Sequence, residues 1–281
     1  MSILKGKGEK IIEGSIKVVG LFSVLLVVLI LGYIIFKGIP SISWEFLSQA
    51  PKDGMRAGGI FPAIVGSIYL TLGTIVVSVP FGILTGVYLV EYSKDNWIRR
   101  TINLTIVNLA GIPSVIYGLF GMAFFVIYLG MGASIMAGSL TLGIMCLPVI
   151  ITATRESLLA IPNHLREASL ALGATKWETT WKIVLPAASP GILTGVILSI
   201  SRATGETAPI MFTVAAFYLP FLPESIWDQA MTLPYHLYVI ATQVPNMPKA
   251  NMDGTLFVLV AITVGFNLLG AYVRTKFNKQ R

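Results

Sequence analysis

Arg202 and Glu206 stand four residues apart in an otherwise apolar run. Ser189-Pro190 reads as the start of that run, an N-cap followed by proline at the first helical position. Arg202 lies twelve residues past Pro190, about 18 Å along a helix. A spacing of four puts both charges on one helix face. At membrane depth such charges are costly, so they should face a cavity or each other. A guanidinium stays charged and offers two parallel hydrogen bonds to phosphate-like oxygens. The chemistry on offer is anion handling. Arg202 attracts the ion, and Glu206 holds Arg202 between ions, so the ion passes without being trapped. The rival reading is a buried ion pair that only fixes helix register. Gly205 and Pro209 weaken the helix at this point.

Ser114 and Tyr117 are the next polar side chains on an apolar background. They follow Ala110-Gly111-Ile112-Pro113, which interrupts another apolar run. A helix broken at membrane depth must line a cavity or be buried in protein, because its freed backbone groups need partners. Both side chains can donate to an anion or repair the break, and both readings stay open. Arg155 sits at the end of a further run. It is a weaker path candidate, since a long cation there snorkels to the headgroups.

Residues 163–189 read as mechanical rather than chemical. Asn163 can cap a helix that runs to Leu172, and Gly173 ends it. Thr175 and Glu178 form a capping box for a second short helix, with Trp177 and Trp181 on one face and Glu178 paired to Lys182. Pro186 reads as its stop. Leu165, Ala168, Leu172, Trp177 and Trp181 make apolar knobs, which suit a docking surface. The alternative is an amphipathic helix resting on lipid headgroups.

These groups need a frame of membrane helices. The chain has 281 residues, 55% hydrophobic and 12% charged, about half the charge of a soluble domain. Six spans are expected: 18–36, about 60–90, 102–129, 133–153, one beginning at 189, and 254–273. Segment 37–59 reads as a loop with Trp44 and Phe46 suited to an interface. The first span reads as an uncleaved anchor, since no A-x-A-like site follows. Residues 1–17 and 274–281 are basic tails. Fifteen of the 20 Lys and Arg fall in segments that this arrangement places inside and four in those outside, with Arg202 in the membrane. That asymmetry puts both termini in the cytoplasm. It also argues against nucleic acid as the partner of a chain with net charge +7.

Ser67, Thr71, Thr74, Ser78, Gly82 and Thr85 form a small-residue stripe, with Gly82 and Gly86 a GxxxG pair. The stripe suits close packing, with a wet path as the alternative. Cys146 reads as a small buried hydrophobe, and His164 and His236 as surface or satisfied histidines. No metal-ligand cluster and no GxxxxGK[ST] loop occurs, so no cofactor and no ATP is expected in this chain.

Glu167, Ala168, Ser169, Gly173 and the run Ile183-Val184-Leu185-Pro186 resemble the EAA loop of ABC-transporter permeases. The third position, usually alanine, is Ser169 here. The resemblance implies an all-α, polytopic fold with six transmembrane helices, a type I importer permease (MetI-like) core over about 60–273, and a cytoplasmic coupling loop at 163–189. It assigns Glu167, Ala168, Gly173, Trp177, Leu185 and Pro186 to contact with a cytoplasmic ATPase dimer, which binds the ATP. AGIPSVIYGLFG at 110–121, RATGETAP at 202–209 and LPYHLY at 233–238 resemble the phosphate-specific members. Ala208-Pro209 matches their A-type subunit. The same resemblance implies a heterodimer with a second homologous permease, an extracytoplasmic phosphate-binding protein and a prokaryotic plasma membrane. A sulfate or molybdate permease, a secondary phosphate carrier and a membrane scaffold are the alternatives.

Overall fold

The computed structural model describes the backbone of residues 2–279 and the side chains of 12–272, 274 and 275. The predicted inner cations Lys5, Lys7, Lys10, Lys276, Lys279 and Arg281 lie outside the described side chains. Helix α1 (Ser2–Gly38) carries tail and first span in one rod. From Ile12 onward its apolar side chains are largely exposed, an area that lipid accounts for. A short helix, α2 (Trp44–Ser48), and a two-stranded hairpin, β1 (Pro51–Lys52) with β2 (Ala57–Gly58), follow. Of the two aromatics expected at an interface, Trp44 is exposed and Phe46 is not. Phe46 packs with Ile60, Ala63, Met231, Leu233 and Val258.

Next come α3 (Phe61–Val87), which continues as a π turn over Tyr88–Tyr92, and α4 (Trp97–Ala110). Then α5 (Ser114–Gly121) is prolonged by a π segment, Met122–Tyr128. The arms of α4 and α5 meet at 107°, so the break expected at Ala110–Ser114 is present. The remaining helices are α6 (Ile135–Leu159), α7 (Asn163–Ala171), α8 (Lys176–Thr179), α9 (Leu185–Gly205), α10 (Ala208–Thr213), α11 (Leu233–Thr242) and α12 (Lys249–Lys279). Among the described residues five helical stretches are long and apolar enough to cross a membrane, and six if the bent α4–α5 pair is counted as one span. The last of them, α12, starts five residues before the expected Gly254.

α3 and α6 form the centre. The small-residue stripe of α3 is largely buried there. A Cβ on Gly82 would stand 2.5 Å from Ile150 Cγ2, and one on Gly86 2.6 Å from Thr154 Cγ2, so the two backbones meet at glycine distance. Thr71, Thr74 and Ser78 donate to carbonyls of their own helix at 2.7–2.8 Å. These hydroxyls need no water, so the stripe is a packing surface rather than a wet path. α9 packs on α6, and α12 covers α9.

Pro186 does not stop α8, and Ser189-Pro190 does not start a new helix. A π turn over Thr180–Val184 joins α8 to α9, with Leu185 N donating to Thr180 O five residues back. The ladder has already shifted where Pro186 lacks its donor, so the proline is absorbed. Ser189 Oγ donates to Pro186 O at 2.8 Å and Thr194 Oγ1 to Pro190 O at 2.8 Å. Lys176–Gly205 is therefore one rod of 30 residues, about 45 Å long.

Candidate functional site

The rod ends at Gly205. Glu206 is extended (φ −71°, ψ 137°), and α10 begins two residues later with Pro209 in its first turn. The expectation that Glu206 continues the Arg202 helix is thus corrected. A proline at 209 would clash with the carbonyl of Gly205 and leave it unbonded, so the helix opens between them. The pair still forms across the opening, with Arg202 Nε 3.5 Å from Glu206 Oε1. Glu206 is 16% exposed and Arg202 52%. Leu198, one turn earlier on α9, is apolar and also exposed. An arginine bared on such a surface needs polar cover.

The helix that follows the second break lies against α10, which follows the first. A Cβ on Gly118 of α5 would be 2.9 Å from Pro209 Cα and 3.0 Å from Ala208 O, so only glycine lets α5 and α10 touch here. Tyr117, 5% exposed, donates its hydroxyl to Leu109 O at 2.7 Å. It spans the break and adds a side-chain bond to a carbonyl that also accepts from Ile112 N at 3.2 Å. Ser114 is half-buried and makes no side-chain hydrogen bond among the described residues. Arg202 is within Coulombic reach of Tyr117 and Cys146. Cys146 is buried, and it exchanges bonds with Ser199 of α9. Arg155 is elsewhere. Its Nη1 donates to Asn103 Oδ1 of α4 at 3.2 Å and its Nη2 lies 3.6 Å from Glu156 Oε1. The structure pairs Arg202 with Glu206, sets α5 against the α10 that follows them, and leaves Arg155 apart.

The loop at 163–189 is built locally. Gly173 has φ +85°, with its N–H on Leu170 O (3.0 Å) and that of Ala174 on Ser169 O (3.2 Å). This is a Schellman end, for which an L side chain is strained. No atom lies within 4 Å of where a Cβ would stand, so glycine is needed for conformation and not for space. Asn163 is not the cap of α7. Pro162 precedes the helix as N-cap, and Asn163 Oδ1 instead accepts from Arg166. Thr175 and Glu178 do form the capping box. The Glu178 carboxyl is pulled down to about 2 by the Thr175 N–H, by Lys182 and by the Thr175 hydroxyl. Leu172 is 90% exposed and Trp177 61%, and Glu167, Ala168 and Pro186 are also exposed. Trp181 turns partly inward, its ring 5.0 Å from that of Trp177. Leu185 packs inward on the core around Val184, Leu158 and Ala188.

Three features were missed in the sequence. Ser169, at the position usually alanine, is buried and bonded to Thr179 Oγ1 at 2.8 Å, which pins α7 to α8. Arg166 pairs with Glu91 at the end of the π turn after α3. Lys176 lies 5.3 Å over the Tyr92 ring. An acid at the cation-rich end of a span was the available signal for Glu91. His236 is also corrected. It is 2% exposed with Nδ1 unpaired among the described residues, and burial lowers its pKa to about 4. His164 is exposed, as expected.

Comparison with known proteins bears on the family and the fold. The model of the family "Binding-protein-dependent transport system inner membrane component" matches residues 78–280. The "Probable ABC transporter permease protein YqgI" of Bacillus subtilis is 32% identical, over 93% of this chain and 90% of its own. The "Phosphate transport system permease protein PstA" of Mycobacterium leprae is 35% identical, over 90% and 84%. The inward-facing methionine ABC transporter MetNI superposes with a TM-score of 0.59 at 20% identity, covering 78% of this chain and 94% of that one. This last likeness concerns the fold, a MetI-type importer core. With its spans and its capped loop, the chain belongs to the inner-membrane components of binding-protein-dependent transport systems, the permeases of ABC importers.

Proposed function

We propose that the chain forms half of the translocation pathway of an ATP-driven importer of inorganic phosphate. The observation that carries this reading is the half-exposed Arg202, paired to Glu206 at the end of α9, just before α10 begins against α5. A second, homologous permease subunit supplies the polar cover that Arg202 needs, and the anion passes between the two. The guanidinium offers its fork to phosphate oxygens, and Glu206 takes it back when the ion leaves. Ser114 is a further donor toward the path, while Tyr117 holds the break in shape. The name of the Mycobacterium leprae relative favours phosphate over sulfate or molybdate.

The drive comes from a cytoplasmic ATPase dimer seated on Glu167, Ala168, Trp177 and Pro186, with Gly173 setting the turn and Leu185 anchoring it. The rod Lys176–Gly205 joins that seat to Arg202 without a break. An extracytoplasmic phosphate-binding protein delivers the ion, and both termini lie in the cytoplasm of a prokaryotic cell. The test is uptake of labelled phosphate into vesicles that hold the permease pair and ATPase, with binding protein added. Arg202→Gln should cut uptake at least tenfold while the ATPase stays bound. Uptake equal to wild type, or competition by sulfate as strong as by phosphate, would refute the assignment.

A further inference from the structure

The coupling loop has an inner face as well as an outer one. Its ion pair is the most buried among the described residues, with Arg166 17% and Glu91 8% exposed. Arg166 Nη2 and Nε both donate to Glu91 Oε1, at 2.8 and 3.2 Å. The same guanidinium donates to Leu158 O at 2.9 Å and Ile161 O at 2.7 Å, the last carbonyls of α6 and the turn after it. One side chain thus ties together the ends of α3 and α6 and the start of α7. From α8, Lys176 lies over Tyr92. Each loop helix therefore places a cation on one five-residue segment, the π turn Tyr88–Tyr92. Ser169 and Thr179 lock the two loop helices to each other, so both grips move together. A π turn carries a wider ring than the α-helix, here closed by Ser93 N on Tyr88 O at 2.8 Å, and such turns are where helices bend.

We propose that Glu91 and Arg166 are positioning residues that make the π turn the joint through which the coupling loop moves α3. The proposal rests on the reading of the loop as the ATPase seat. Leu172 and Trp177 face outward to the motor, and Arg166 and Lys176 face inward to the joint. Removal of either member of the buried pair strands the other charge, and the loop then rocks without carrying α3 with it. ATP hydrolysis continues while transport stops.

The experiment uses the complete transporter in vesicles. Two quantities are measured: phosphate imported per ATP hydrolysed, and the nucleotide-driven change in distance between spin labels at His164→Cys and Val76→Cys. Both labelled positions are exposed, and the native Cys146 is buried. Glu91→Gln should lower the import ratio at least tenfold and abolish the distance change, with ATPase bound and hydrolysing. Glu91→Asp, which keeps the charge, should stay within about threefold of wild type. Glu91→Gln with Arg166→Gln should be no worse than the poorer single variant. A Glu91→Gln transporter that keeps both its ratio and its distance change overturns the joint. So does one that simply loses the ATPase, since the pair would then only shape the seat. A wild-type complex whose labels respond to nucleotide but which imports no phosphate refutes the cargo assignment, and the label distance still decides the joint.

Discussion

Gly173→Ala isolates one physical effect. The residue has φ +85° with nothing within 4 Å of its missing Cβ, so the substitution adds no clash with the rest of the protein. What it adds is the local strain of an L side chain in the left-handed region, about 1–2 kcal/mol. At 1.4 kcal/mol per tenfold, that is a 5- to 30-fold shift, in round terms, away from the closed turn. Opening the turn releases the bonds of Gly173 N and Ala174 N and misaligns α7 with α8. Only the closed form presents Leu172 and Trp177 together, so ATPase affinity should fall by up to the same factor. Asn tolerates this backbone better than Ala, and proline fixes φ on the wrong side. The expected order is wild type, then Gly173→Asn, then Gly173→Ala, then Gly173→Pro. ATPase binding to the purified permease pair in detergent, measured by titration, reads it. Equal affinities for wild type and Gly173→Ala, or Asn weaker than Ala, would refute the preset turn.

Ser169→Ala should strand the buried Thr179 hydroxyl at a cost of about 1–3 kcal/mol. Adding Thr179→Val removes the stranded group, so the double variant should recover most of the thermal stability lost by the single one. His236 titrates near 4 when folded and near 6.5 when unfolded. Between these values the unfolded chain binds the extra proton, so stability falls as pH drops through that window, by about 2 kcal/mol at pH 5. The melting temperature in detergent should therefore fall more steeply from pH 7 to pH 5 in wild type than in His236→Gln.

The features that were legible in the sequence are those set within a few residues. The Schellman end at Gly173, the Thr175–Glu178 capping box and the break at Ala110–Ser114 each follow from one glycine, one cap or one proline acting on its own turn. Pro186 misled because the same local rule took no account of the π turn before it, which had already shifted the ladder. Phe46 misled because its type suits an interface and a core equally, and the partners that bury it lie far along the chain. Asn163 lost its expected role because Arg166 competes for its oxygen.

The sequence by itself determined that this chain is a bundle of membrane helices with a capped loop between two of them and an arginine on an apolar helix. Hydropathy, charge asymmetry and caps act along the chain and can be read along it. Only the tertiary structure decided that α5 and α10 touch through Gly118 and that Arg166 reaches Glu91. The second contact joins residues 75 apart, and the first hangs on a glycine-scale fit between helices. Such fits depend on where packing brings the helices, and no local pattern encodes that.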